Sequence, residues 1–226
     1  MAFQKTKTDK NLGERVSNKL LELGLETPTD YQRLMVDNNK KINEIEELMR
    51  KILETVGLDL TDDSLAETPN RIAKMMVLEQ AWGLLPENFP KCTTIENKFP
   101  TDEMVKVDII QVMSICEHHW VTIDGECTIA YIPAKRVLGL SKFNRIVEYY
   151  SRRPQVQERL TCQIFEALKI ILDTENIAVT INAKHYCVAS RGVGDIGSRT
   201  TTSKLGGVFK TDPATRAEFY SHHNVK

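Results

Sequence analysis

Long apolar runs and an excess of charge of either sign are what this 226-residue chain most lacks. No uninterrupted apolar stretch approaches the roughly 20 residues that a membrane-spanning helix requires. The opening Met1-Ala2-Phe3-Gln4-Lys5-Thr6-Lys7 also lacks the apolar stretch of a signal peptide. The expectation is a cytoplasmic protein with no membrane partner. Lys and Arg number 30 against 31 Asp and Glu, a formal net charge of -1. There is thus no overall basic field for nucleic acid or an anionic membrane, and phosphate recognition must belong to a local site. Cysteine is scarce and odd in number, with five residues, Cys92, Cys116, Cys127, Cys162 and Cys187. An odd set excludes a fully paired disulfide framework, and in a reducing compartment it points to metal binding or burial. For the isolated Cys92, Cys127 and Cys162, burial is expected.

With 41% hydrophobic residues the chain can bury a core, as one large domain or two small ones. Leu12, Val16, Leu20 and Leu23 recur at helical spacing up to Gly24, and Thr27-Pro28-Thr29-Asp30 breaks the run. A second helix carries Ile42, Ile45, Met49, Ile52 and Val56 on one stripe and closes at Gly57. Thr68-Pro69 reads as an N-cap with proline at the first helical position, opening a helix through Ile72, Met75, Met76 and Leu78. Prolines at 86, 90 and 100 then punctuate the chain, and the period changes from helical to strand-like. The boundary expected there separates a helical N-terminal region, 1–95, from a main domain, 96–226.

In the main domain, Val105, Val107 and Ile109 begin an alternating run that continues to Ile115 and Cys116. Asp124-Gly125 reads as a hairpin turn joining Trp120–Ile123 to Glu126–Ile132. Helical patterns follow over Ser141–Tyr150 and, past Pro154, Val156–Leu172; Ile177–Lys184 alternates cleanly as a third strand. A fourth strand is expected over Arg199–Phe209, and Asp212-Pro213 caps a last short helix ending near His222 and His223, to which no role is assigned. The fold class is α+β: a four-stranded antiparallel sheet with two helices on one face, in the order strand, strand, helix, helix, strand, strand. Such a sheet leaves two outer strands with unpaired backbone groups, so subunits are expected to pair edges, with active-site residues at their junctions.

The chemistry concentrates in Ser114-Ile115-Cys116-Glu117-His118-His119-Trp120. Cys116 and His119 stand in a Cys-x2-His spacing, which lets one short turn offer sulfur and nitrogen to a tetrahedral ion such as zinc. The best third ligand is in His185-Tyr186-Cys187, at the end of another alternating run. Three ligands, Cys116, His119 and Cys187, would leave one zinc position for water, as in catalytic sites. A structural zinc with Cys127 or His118 as fourth ligand, and simple packing at a sheet end, are the alternatives. His118 and His185, beside the ligands, could move protons. Gly139-Leu140-Ser141-Lys142-Phe143-Asn144-Arg145 offers a hydroxyl and two cations where a helix begins, the chemistry of a phosphate site or of a capped helix with solvated charges. Arg191 follows Cys187 closely and Arg71 opens a helix; each joins an anion site only if folding or assembly brings it in. Gln157 and Glu158, at another helix start, could read the donor edge of a purine or be surface polarity.

Cys116-Glu117-His118-His119, Gly139-Leu140-Ser141-Lys142, Arg145-Ile146-Val147, Arg153-Pro154-Gln155-Val156-Gln157-Glu158-Arg159, His185-Tyr186-Cys187 and Arg191-Gly192 together, in this order, resemble GTP cyclohydrolase I. The segment from Glu67 to Met75 also resembles that family, and the match runs from about Asp59 to Phe219. Trp120, directly after the histidine pair, and the less regular Gly194–Lys204 depart from its pattern. The resemblance implies a tunnelling fold whose subunit sheets close into a barrel within a homodecamer. It implies conversion of GTP and water to 7,8-dihydroneopterin triphosphate and formate, the first step of folate or other pterin biosynthesis. By that resemblance, zinc on Cys116, His119 and Cys187 activates water for attack at C8 of guanine. His185 protonates the imidazole ring and His118 assists proton transfer. Glu158 and Gln157 hold the guanine edge; Ser141, Lys142, Arg145, Arg191 and Arg71 hold the triphosphate, some from a neighbouring subunit. Two rivals are a non-catalytic guanine-nucleotide-binding protein with a structural zinc, and a pterin- or purine-modifying enzyme of the same fold. The joint presence of Cys116, His119, Cys187 and His185 argues against the second.

Overall fold

A computed structural model describes residues 7–98 and 101–221; His222 and His223 lie outside them. Helix α1 (Lys10–Glu22) starts at Asp9, whose carboxylate accepts from the Leu12 N–H at 3.1 Å. Its Val16 and Leu20 are fully buried in the main core, beside Phe89 and Tyr149, so the first helix is part of the packing that holds the sheet. After the short α2 (Tyr31–Leu34), helix α3 (Asn38–Val56) is capped by Asp37 and ends at Gly57, whose φ of 97° is open to glycine. Helix α4 (Thr68–Met75) and the helical turn after it pack on α3, with Ala73 and Val77 against Ile42. The expected Thr68 cap is corrected: Glu67 occupies the cap position without a side-chain bond, and Thr68 is the first helical residue. The proline at the second position has no N–H to leave unsatisfied there, which is why the helix starts without a side-chain cap.

The main sheet is built from β2 (Val105–Cys116), β3 (Thr122–Tyr131), β5 (Pro154–Gln155), β6 (Ile177–His185) and β7 (Thr200–Leu205), in the spatial order β5-β2-β3-β6-β7. Four strands pair antiparallel, as expected. The fifth, β5, lies between the two helical patterns where no strand is expected; it adds a two-residue parallel edge against Ile115 and Cys116. A separate ribbon pairs β1 (Thr94–Glu96) with β4 (Arg136–Leu138). Helices α5 (Ser141–Ser151) and α6 (Gln157–Leu172) lie between β3 and β6 in sequence and cover one face. Ile146, Tyr150, Leu160, Ile164 and Leu168 meet Val112, Ile123, Ile129, Val179 and Ile181 there. The opposite face is covered at one end by α8 (Gly207–Thr211) and α9 (Pro213–Ser221), whose Phe209 and Phe219 pack on Ala130 and Ala178. No helix among the described residues is long and apolar enough to cross a membrane.

The hairpin expected at Asp124-Gly125 lies elsewhere. Both residues sit inside β3, opposite Met113 and Val112 on one side and Lys184 and Ala183 on the other. Glycine stands there for space: a Cβ on Gly125 would lie 2.3 Å from the Asn182 carbonyl oxygen and 2.5 Å from the Ala183 Cα. Interior strand glycines often mark such close backbone approach. The real turn is Glu117–Val121, closed by Cys116 N–H to Val121 oxygen at 2.8 Å and Trp120 N–H to Cys116 oxygen at 2.9 Å, with Trp120 at φ 54°. The chemistry-bearing motif is therefore itself the hairpin loop.

Behind that loop, Arg153 is 1% exposed. Its guanidinium pairs with Glu26 at 2.8 Å, donates to the Gly83 carbonyl and stacks on Tyr149 and Tyr150 at 4.8 Å each. These contacts join the end of α1, the segment after α4 and the start of β5 at one buried charge.

Candidate metal centre

Strand β2 delivers Cys116 to the end of the sheet, and the tight loop after it turns His119 back over the sulfur. Strand β6 ends at His185, opposite Ile123 of β3, and the short helix α7 (Tyr186–Ala189) carries Cys187 onto the same place. Ligand atoms of Cys116, His119 and Cys187 all lie within 4.8 Å of one another. The Cys116 Sγ is 3.9 Å from the Nδ1 of both His118 and His119, but only His119 also reaches Cys187. With zinc bonds of about 2.3 Å to sulfur and 2.0–2.1 Å to nitrogen, tetrahedral S and N ligands stand roughly 3.5 Å apart. The 3.9 Å separation of Cys116 and His119 is a few tenths of an ångström from that value and no pair in the cluster exceeds 4.8 Å, so the donor set fits the ion after a contraction of at most about 1 Å. Burial, then the Cys116 thiol beside it, pushes the Cys187 thiol above its ordinary value, while Arg191 pulls it down. A divalent cation is what makes two facing sulfurs comfortable as thiolates.

The alternative fourth ligand Cys127 is fully buried in the middle of β3, among Ile129 and Ile181, and takes no part in the cluster. His118 is exposed at the loop tip, its Nε2 3.9 Å from Glu117. The other Glu117 oxygen pairs with Arg159 of α6, which also reaches the Gln155 side-chain oxygen at 3.3 Å. The Glu117 N–H donates to the Gln155 carbonyl at 3.1 Å. Arg159 and Gln155 received no role from the sequence. Their i, i+4 spacing and the carboxylate inside the ligand motif were the available signals, but only the loop's position makes them partners.

His185 is half-buried, and that burial lowers its pKa while nearby Glu158 raises it. Its Nε2 lies 2.7 Å from the Gln157 side-chain oxygen. Gln157 is buried, and its amide nitrogen donates to the Ile181 and Thr200 carbonyls and the Thr202 hydroxyl. Gln157 was expected to share the guanine edge with Glu158; in this structure its side-chain nitrogen faces Ile181, Thr200 and Thr202 and its oxygen faces His185. Glu158, the next residue, is exposed and beside His185.

The candidate phosphate residues are not gathered. Arg191 is exposed near Cys187. Ser141 opens α5, with Lys142 and Arg145 near Cys92, whose thiol burial pushes up to about 12. Helix α5 ends beside the metal loop, since Ser114 donates to the Arg153 carbonyl at 3.5 Å. At 1.5 Å per residue, its start lies about 15 Å away, toward the other end of the sheet. Arg71 is exposed on α4. A cleft of about 630 Å³ runs between the α3–α4 unit and the loop, lined by Lys41, Ile45, Val77, Glu117, His118 and Trp120 among others. A cleft of about 710 Å³ between α1 and the C-terminal end of α6 contains none of the candidate residues.

Residues 45–224 match the family model described as GTP cyclohydrolase I. The chain is 57% identical over 206 residues to GTP cyclohydrolase 1 of Shewanella amazonensis, covering 91% of this chain and 94% of that protein. It is 58% identical over 207 residues to GTP cyclohydrolase 1 of Photobacterium profundum, covering 92% and 94%. Among solved structures, the apo form of the archaeosine synthase QueF-Like aligns with 49% of this chain and 97% of its own, at 22% identity and a TM-score of 0.40.

Proposed function

The chain belongs to the GTP cyclohydrolase I family, and from that premise we propose how its residues divide the work of the reaction. The enzyme hydrolyses GTP to formate and 7,8-dihydroneopterin triphosphate, a step of folate and pterin biosynthesis. Cys116, His119 and Cys187 hold a zinc ion, which when bound supplies a Lewis acid that polarises water for attack on the imidazole ring. The observation that carries this reading is the convergence of those three ligands with His185, which enters the same loop cluster two residues before Cys187.

His185 and His118 flank the ligands and exchange protons with the ring as it opens and formate leaves. Exposed Glu158 accepts from the two donors on the guanine edge, N1–H and the 2-amino group. Adenine lacks that pair, so ATP would leave the carboxylate without its hydrogen bonds. Ser141, Lys142, Arg145, Arg191 and Arg71 neutralise the triphosphate. Ser141 stands about 15 Å and Arg145 about 9 Å along α5 from the end that meets the metal loop, and on that separation Ser141, Lys142 and Arg145 are assigned to a neighbouring subunit's metal centre. That division agrees with a tunnelling-fold homodecamer. Among the described residues, one edge of the sheet, β7, pairs only with β6, and β2 is met on its outer side only at Ile115 and Cys116, which leaves backbone for subunit pairing. Residues 1–95, helical over much of the described part from 7 onward, serve as the region preceding the catalytic domain, in a cytoplasmic enzyme whose ligand thiols stay reduced.

The test is to incubate the purified protein with GTP and follow formate and the pteridine chromophore together. Both should appear in equal amounts, with neither from ATP. Tight GTP binding without either product would favour a nucleotide-binding protein with a structural zinc.

A further inference from the structure

Gln157 sits where α6 begins, on the buried side of His185, and its amide has one permitted orientation. The nitrogen faces the Ile181 carbonyl at 3.0 Å and the Thr200 carbonyl at 2.9 Å, both of which can only accept. Rotating the amide would set its oxygen against two carbonyl oxygens. A third contact agrees in direction. The Thr161 hydroxyl donates to the Gln157 backbone carbonyl at 2.9 Å, so in the 2.6 Å contact between the Thr161 and Thr202 hydroxyls the donor is Thr202. The Thr202 oxygen is then left as an acceptor 3.1 Å from the Gln157 nitrogen, sharing with one of the two carbonyls a hydrogen of an amide that has only two. The circuit closes on itself: amide to Thr202, Thr202 to Thr161, Thr161 to the backbone of the same glutamine.

The side-chain oxygen of Gln157 therefore points at His185 Nε2, 2.7 Å away, and an oxygen acceptor requires a proton on that nitrogen. We propose that Gln157 is a positioning residue that locks His185 in the Nε2–H tautomer, so that His185 meets the substrate through Nδ1. Among the described residues Nδ1 makes no hydrogen bond. The inference rests on the reading of this site as the cyclohydrolase centre. The lock is built across the fold, with contributions from β6, β7 and α6, so the loop preceding β7 is tied to the histidine through Thr200 and Thr202.

The test is nitrogen-15 NMR of the full-length protein labelled at histidine, solution or sedimented, without substrate and at a pH where neutral imidazole dominates. The His185 signals are assigned by their loss in His185→Asn. Wild-type protein should show protonated Nε2 and unprotonated Nδ1. Gln157→Met should give a mixture of tautomers, with kcat lowered about tenfold or more and KM for GTP changed less than about threefold. An Nδ1–H tautomer in the wild type overturns the proposal, as does an unchanged tautomer in Gln157→Met accompanied by a raised KM. The wild-type spectrum decides even if the variant does not fold. Because it is recorded without turnover, its failure is separable from failure of the proposed reaction.

Discussion

Cys187 faces Cys116 closely enough for that thiol to oppose its ionisation, and a bound cation reverses the balance. Cys187→Ala is expected to weaken zinc retention by at least about 100-fold in chelator competition and to abolish turnover; full zinc occupancy would remove Cys187 from the ligand set. Glu158→Ala should keep its zinc and lose at least about tenfold of its preference for GTP over ATP; an unchanged preference would contradict the guanine-edge role. At this scale the ligands were legible in the sequence, because Cys116 and His119 share one turn and His185-Tyr186-Cys187 pairs the same residue types again. Gln157 was not. Its partners Ile181, Thr200 and Thr202 become neighbours only when β6 and β7 pair above α6. Arg159 was quoted within a motif, yet its ion pair with Glu117 depends on where the loop falls.

The ligand loop owes its position to elements beneath it. Helices and strands could be read from periodicity, with α3 ending at Gly57 as expected and β6 present from Ile177, although β6 buries both faces as far as Ile181 because α8 and α9 cover the second one. Asp124-Gly125 misled for a physical reason: glycine fits a hairpin turn and a crowded strand interior equally well, and only the strand beyond it tells the two apart. Gly125→Ala should therefore destabilise the fold by about 1–3 kcal/mol in urea unfolding, since its Cβ meets backbone that cannot rotate away. A loss below a few tenths would mean that the strands can part at that point. Arg153 was likewise hidden inside a motif read for nucleotide binding. Its guanidinium lies between Tyr149 and Tyr150 and pairs with Glu26, and Arg153→Met should cost about 3 kcal/mol because it strands a buried carboxylate. Stability unchanged in that variant would show that Glu26 finds water instead.

One copy of the chain holds the candidate metal ligands at one end of its sheet and cationic residues of α5 toward the other, and this separation carries the argument for assembly. Cys187→Ala and Arg145→Ala variants, each inactive, should regain activity when dissociated and reassociated together, because a mixed junction joins one intact metal centre to one intact phosphate group. A random one-to-one mixture recovers roughly a quarter of wild-type sites, and no recovery in verified mixed oligomers would put both groups in one subunit's site. The edge strands that call for such pairing were legible as an unmet need; the number of copies was not, since backbone valence at an edge sets no closure angle. The central claim is that Cys116, His119 and Cys187 form the centre at which GTP is opened. Its most direct test is formate release from GTP by one preparation measured zinc-replete, stripped of metal, and restored with zinc, with ATP alongside. Formate from GTP that disappears on stripping and returns with zinc is the predicted result, and undiminished release from protein shown to be metal-free would contradict it.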